Sequence, residues 1–269
     1  MRDIVIGSIT NYNFNDIRPW VNSLDRCGFA GEKIMLCYNI DMDTKNELHS
    51  RGYNVIYSTQ NISSIVVDRF FDYWQILKDV NDCRYVIATD VKDVVFQRNP
   101  IEWLEKNLGD QKINASSESI RYQYETWGNV NLYSSFGKEI YENNKDHIIN
   151  NAGVISGDAK TLRDLFLNVY LLSKSSAIRN PDQAAYNVLL NMESYKNITR
   201  FTKSEEAWAA QLGTTKDPTR LSEYRESILE PEPQIIDNKV CTSSGEEFYI
   251  VHQYNRIKEW NKIIESNYA

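Results

Sequence analysis

Short runs rich in β-branched residues alternate with helical periods through the first hundred residues. That is the pattern of a layered α/β fold with a largely parallel sheet. Residues 4–8 read as a strand, 16–27 as a helix with Pro19 in its first turn, and 34–38 as a second, buried strand. Residues 43–51 form a polar helix stopped by Gly52, and 53–57 a third strand. Over residues 63–80 the apolar Val66, Phe70, Trp74, Leu77 and Val80 recur at steps of four, four, three and three, which predicts a single apolar helix face. Residues 85–88 make a fourth strand, followed at once by the acidic turn Thr89-Asp90-Val91-Lys92-Asp93 and the apolar Val94-Val95-Phe96.

The second half is less regular. Residues 114–145 are aromatic and polar without a period, and 147–157 read as a loop entering a short strand. Residues 161–172 and 182–192 read as helices, the second opened by Asn180-Pro181-Asp182. The polar stretch 202–248 holds Pro218, Pro231 and Pro233 and reads as a functional loop, a lid, or elements that a periodic reading misses, with one short helix near 221–229. Residues 247–251 form a last strand, and His252 follows it. No repeat or linker divides the chain, so one domain is expected.

Composition narrows the function. The chain carries 30 Lys+Arg against 37 Asp+Glu, a net charge of −7, without a basic run, which argues against a protein that grips nucleic acid by its phosphates. No stretch approaches the roughly 18 apolar residues of a membrane span, and no apolar leader follows Met1. The four cysteines lack C-x-x-C spacing and read as reduced thiols, not as a disulfide frame or zinc site. A soluble, cytoplasmic protein is the expectation.

Asp90 and Asp93 stand at the carboxyl end of a buried strand, where open α/β sheets place their ligands. Two carboxylates three residues apart on a turn either converge on a hard cation such as Mn²⁺ or Mg²⁺ or serve as helix caps and solvated turn residues. His252 either completes a mixed oxygen and nitrogen shell or is an ordinary structural histidine, and Arg256 and Lys258 behind it could neutralise a diphosphate. Asn150-Asn151-Ala152-Gly153-Val154 is small and amide-rich, suited to hydroxyl groups brought close to backbone, or else a plain turn. Asp182-Gln183 is a helix start or a carboxylate and amide aimed at a polar ligand.

Taken in order, these residues resemble the GT-A fold nucleotide-sugar glycosyltransferases, and most of all glycosyltransferase family 8, the family of the glycogenins and bacterial lipooligosaccharide galactosyltransferases. In that family a basic helix residue precedes a strand ending in D-x-D, then N-A-G-V, D-Q and a terminal H-x-x-G-x-x-K-P-W. Here the same order runs Arg69, Tyr85 to Asp93, Asn151-Ala152-Gly153-Val154, Asp182-Gln183, and His252 with Lys258 and Trp260 at the family spacing. Two features depart from it. Val91 stands where the first Asp of D-x-D belongs, and Asn255 and Glu259 replace the Gly and Pro near the end. Those departures suggest a related family.

The resemblance implies one GT-A domain over 1–269, with a nucleotide-binding half at 1–110, a donor-sugar and acceptor half at 111–248, and a metal and diphosphate segment at 249–269. It implies a mostly parallel Rossmann-like sheet flanked by helices, with irregular acceptor-side segments. It implies transfer of a sugar from a nucleotide-sugar donor, a UDP-sugar by analogy, to a carbohydrate or glycoconjugate acceptor, with Mn²⁺ or Mg²⁺. By the same resemblance Asp93 and His252 bind metal, and Asp90 is a second ligand or a contact to the donor ribose or sugar. Ser8, Ile9, Thr10, Asn11 and Tyr12 would receive base and ribose, with Tyr12 a candidate stacking partner, or else form a plain polar loop, and Arg69, Arg256 and Lys258 would lie around the diphosphate. Asn151, Ala152, Gly153, Asp182 and Gln183 would hold the donor sugar, the last two at the reacting carbon.

The alternative is a GT-A-like module that binds nucleotide or carbohydrate without catalysis. A nucleotidyltransferase is disfavoured because the first loop lacks a Gly-rich, Arg-bearing phosphate loop, and an oxidoreductase because no G-x-G-x-x-G follows the first strand. Glu118, Glu125 and Asp158 are candidates for an inverting base, although the resemblance favours retention. Residues 122–127 and Trp208 either stack on acceptor sugars or pack internally.

Overall fold

A computed structural model describes residues 1–58 and 64–269. Along the chain run β1 (Arg2–Ile9), α1 (Phe14–Arg26), β2 (Glu32–Cys37), α2 (Met42–Ser50), β3 (Asn54–Tyr57), α3 (Ile65–Leu77) and β4 (Cys83–Thr89). Then come β5 (Val94–Phe96), α4 (Pro100–Asn107), β6 (Ile113–Arg121), α5 (Thr126–Asn144), β7 (Ile148–Asp158), α6 (Ala159–Lys174), α7 (Asp182–Asn191), α8 (Glu193–Lys196) and β8 (Thr199–Thr202). The last part carries β9 (Ala209–Gln211), α9 (Leu212–Thr215), α10 (Pro218–Tyr224), β10 (Gln234–Ile236), β11 (Lys239–Cys241), β12 (Ile250–His252) and α11 (Lys258–Tyr268).

The main sheet has seven strands in the order β3-β2-β1-β4-β7-β6-β8. Strands β1 to β4 are mutually parallel, β7 runs against both β4 and β6, and β8 is parallel to β6. Apolar side chains cover both faces. Phe70, Tyr73, Phe166 and Tyr186 pack one side, Trp20, Leu24, Trp103 and Leu104 the other, as a mostly parallel sheet requires. A three-stranded sheet, β5-β12-β9, stands beside it and holds Val94, His252 and Gln211 in one register row.

Several elements differ from the sequence expectation, each for a physical reason. Helix α1 begins before residue 16 because Asn13 caps it, its Oδ1 accepting from the backbone N–H of Asn15 and Asp16 at 2.9 and 3.3 Å. Pro19 therefore lies past the first turn. The helix expected over 63–80 is Ile65–Leu77, Ser63 lying outside the described residues, and its buried stripe is Val67, Phe70, Tyr73 and Leu77. That shift turns Arg69 inward. The aperiodic stretch 114–145 contains β6, whose Asn114, Ser116, Ser117, Glu118 and Ser119 are all buried. Polar side chains carry no hydrophobic alternation, so the strand left no periodic trace. The turn expected around Asn151 to Gly153 is the middle of the long strand β7. The stretch 202–248 is not one loop but carries β9, α9, α10 and the β10–β11 pair. His252 is the last residue of β12 rather than the residue after it.

Candidate active site

Strand β4 ends at Thr89, and the backbone N–H of Asp90 donates to the Gly153 carbonyl at 2.8 Å, which fixes the acidic turn against β7. Backbone N–H of Gln253 donates to the Asp93 carbonyl at 2.8 Å, fixing the other end against β12. One donor atom each from Asp90, Asp93 and His252 consequently lie within 4.8 Å of one another. His252 Nε2 is 3.6 Å from Asp90 Oδ2 and 3.6 Å from Asp93 Oδ1, and it has no hydrogen-bond partner although the residue is only 2% exposed. Its Nδ1 is 2.8 Å from Gln211 Oε1.

A nitrogen without a partner facing two carboxylates calls for positive charge. In the protein alone a proton supplies it. Burial opposes charging His252, but Asp93 and Asp90 outweigh it and push the imidazole up to about 9. Burial likewise opposes ionisation of Asp90, yet Arg69 and His252 hold its carboxyl well below the usual range. The donor set, two carboxylates and one imidazole, fits a hard or borderline divalent cation such as Mn²⁺ or Mg²⁺. Gly153 fits it too. A Cβ there would come within 2.5 Å of His252 Cε1 and 2.8 Å of Asp90 Oδ2.

Arg69 is buried, pairs with Asp90 through Nη1, and places Nη2 3.7 Å from Asp182 Oδ2. It therefore balances two carboxylates of the wall. Asp182 opens α7, where burial pushes its carboxyl up to about 6, opposed by Arg69 and reinforced by Asp90. Gln183 Oε1 accepts from the Ala152 backbone N–H at 3.2 Å. Asn151 accepts from the Gly153 N–H at 2.6 Å and donates to Glu118 at 2.7 Å, while Thr214 Oγ1 donates to the other Glu118 oxygen at 2.8 Å. Burial raises the Glu118 carboxyl despite these bonds.

Two cavities meet at this cluster, sharing Val66, Arg69 and Asp90. The larger, about 390 Å³, is lined by Asn151, Asp182, Gln183 and His252 on one side and by Glu125, Trp127, Arg220 and Tyr224 on the other. The smaller, about 220 Å³, is lined by Ser8, Thr10, Tyr12, Lys92, Asp93 and Asn255. Burial raises the Tyr12 hydroxyl, helped by Asp93 and Asp90.

Of the residues singled out from sequence, Thr10 and Tyr12 line the smaller cavity and Asn151, Ala152, Gly153, Asp182, Gln183 and Arg256 the larger. Three stand apart. Ile9 is fully buried in the core, Asn11 turns outward to accept from Asn39 Nδ2 at 2.5 Å, and Lys258 is exposed at the start of α11 and lines neither cavity. Side chains alternate along β1 and its loop, so 8, 10 and 12 face the cavity while 9 and 11 do not. Asp158 caps α6, accepting from the Thr161 backbone N–H at 2.9 Å, and lines a separate cavity with Cys83 and Lys112. Trp208 is wholly buried against Trp103, with ring centroids 5.0 Å apart. Ser8, from the same expected loop, lines the smaller cavity as well, whereas sequence reasoning passed over Gln211, Thr214, Arg220 and Tyr224, all in short elements with no periodic signal.

No family model matches the chain, and no curated protein matches it. Solved structures do. It resembles the galactosyltransferase LgtC, solved in complex with donor and acceptor sugar analogs, at a TM-score of 0.56 and 14% identity over 98% of this chain and 95% of that one. An active-site mutant of LgtC is similar at a TM-score of 0.54 and 14% identity, over 93% and 86% of the two chains. The apo-form glycosyltransferase GlyE of Streptococcus pneumoniae TIGR4 is similar at a TM-score of 0.55 and 16% identity, over 99% of this chain and 63% of that one. The chain thus has the GT-A glycosyltransferase fold. Among the described residues no helix is long and apolar enough to cross a membrane.

Proposed function

We infer that the chain is a single-domain, metal-dependent glycosyltransferase that moves a sugar from a nucleotide-sugar, of the UDP-sugar class, to a carbohydrate or glycoconjugate acceptor. The observation that carries this is the partnerless His252 Nε2 facing Asp90 and Asp93 where the two cavities meet. A divalent cation bound by these three residues would neutralise the charge that develops on the departing diphosphate.

The chain's own groups then divide the work. Ser8, Thr10 and Tyr12 offer two hydroxyls and a ring to a nucleoside in the smaller cavity. Asn151, Asp182 and Gln183 bind donor-sugar hydroxyls in the larger one, and Gln183, anchored at Ala152, sits at the reacting carbon. Arg69 holds Asp90 and Asp182 in place, so it orients the donor rather than gripping the diphosphate; Arg256 is the cation that meets the phosphates. The acceptor enters beside Trp127, Arg220 and Tyr224, and Glu118, fixed by two hydrogen bonds, binds its hydroxyl. The four free thiols support a reducing, cytoplasmic setting.

Release of nucleoside diphosphate from a panel of nucleotide-sugars tests this reading. Metal-dependent release that increases with a suitable sugar acceptor is expected. Tight binding of nucleotide-sugar with no release or transfer would favour the non-catalytic module.

A further inference from the structure

We propose that Gln211 is the positioning residue that presents His252 Nε2 to the divalent cation. The proposal rests on the reading of Asp90, Asp93 and His252 as a metal site. A neutral imidazole has one N–H and one lone pair, so whichever nitrogen keeps the proton decides which can bind metal. Gln211 removes that choice. Its Nε2 donates to Ser116 Oγ at 2.9 Å, which turns Oε1 toward His252 Nδ1 at 2.8 Å. An amide oxygen only accepts, so the proton stays on Nδ1 and the lone pair on Nε2 faces the two carboxylates. Metal-binding histidines commonly rely on such an outer partner to fix ring and tautomer.

The placement follows from backbone pairing. Strands β9 and β12 are parallel with Gln211 and His252 in register, and β5, which starts directly after Asp93, pairs with β12 at Val94 and His252. One small sheet therefore carries a ligand, the residue that aims it, and the neighbour of a second ligand. Both Gln211 and Ser116 are 2% exposed, so solvent offers no substitute partner.

The test is Mn²⁺ titration in the presence of UDP, followed by electron paramagnetic resonance of the free ion, for the full chain and three variants. Gln211→Leu removes both hydrogen bonds, and about a 10- to 100-fold loss of Mn²⁺ affinity is expected. Gln211→Glu still accepts from Nδ1, while the Ser116 hydroxyl reverses to donate, so affinity stays within about threefold of the parent. Ser116→Ala loosens the amide and gives an intermediate loss. A folded Gln211→Leu that binds Mn²⁺ like the parent would overturn the proposal, as would a Gln211→Glu that binds as weakly as Gln211→Leu. If Gln211→Leu does not fold, Ser116→Ala and Gln211→Glu decide, and equal affinity of Ser116→Ala and parent overturns it. Absence of Mn²⁺ binding by the unaltered chain would instead overturn the metal-site reading, and the proposal with it.

Discussion

Substituting Gly153→Ala adds one methyl group at the tightest point of the site. The new Cβ would lie 2.5 Å from His252 Cε1, 2.8 Å from Asp90 Oδ2 and 2.9 Å from Asn151 Oδ1. Carbon contacts become comfortable near about 3.5 Å, so the imidazole or β7 must move by about 1 Å. His252 cannot yield freely, being 2% exposed and held by Gln211 at 2.8 Å. Ligand positions for a metal tolerate about 0.2 Å. The displacement exceeds that severalfold, so Mn²⁺ affinity should fall at least about tenfold, or about 1.4 kcal/mol. Overpacking of this kind costs about 1–3 kcal/mol, which at about 2–4 °C per kcal/mol lowers the melting temperature of the metal-free protein by about 2–12 °C. Calorimetric Mn²⁺ titration with UDP and a metal-free melt measure the two effects separately. A Gly153→Ala protein that binds Mn²⁺ within twofold of the parent would refute the geometry.

Four further outcomes are expected. His252 has a folded value of about 9, above the ordinary 6.5, so its contribution to metal-free stability is full below about pH 6.5 and is lost as pH rises through 9; melts across that range should show the decline, and a flat profile contradicts it. Mn²⁺ competes with the same proton, so its affinity should rise with pH over this window. Asp93→Ala should abolish metal-dependent nucleotide binding, whereas Asp158→Ala, which removes only the α6 cap, should cost about 0.5–2 kcal/mol in a denaturant melt and leave nucleotide affinity unchanged. Trp127 lines the larger cavity while 44% exposed, so Trp127→Ala should raise the acceptor KM without altering donor hydrolysis or melting temperature; an unchanged KM would remove it from the acceptor path.

The parallel half of the fold was legible because β1 to β4 each carry a short apolar run, such as Ile4-Val5-Ile6 and Ile34-Met35-Leu36, and the turn after β4 announces its carboxylates. What escaped was polar and buried. Strand β6 shows no period in the sequence because Asn114, Ser116 and Glu118 find their partners across the fold, among them Thr202, Gln211 and Thr214. Strand β9 has three residues, too few for any period, and Gln211 gained its place solely by pairing with β12. Family spacing singled out Asp93, Gly153 and His252, which converge. The same spacing singled out Lys258, which the start of α11 carries to the surface, and local alternation was needed to separate Thr10 and Tyr12 from Ile9 and Asn11.

The central claim is that an acidic cluster binds a diphosphate through a cation, and joint thermal titration with UDP and Mn²⁺ tests it most directly. Neither ligand alone should move the melting temperature much, because the carboxylates repel the diphosphate and the three residues offer the metal an incomplete shell. Together, at about 100 times the dissociation constant, they should add about 2.7 kcal/mol, a rise of about 5–11 °C at about 2–4 °C per kcal/mol. An equal rise with UDP when Mn²⁺ is replaced by EDTA, or no rise with any nucleoside diphosphate and metal, would contradict the account.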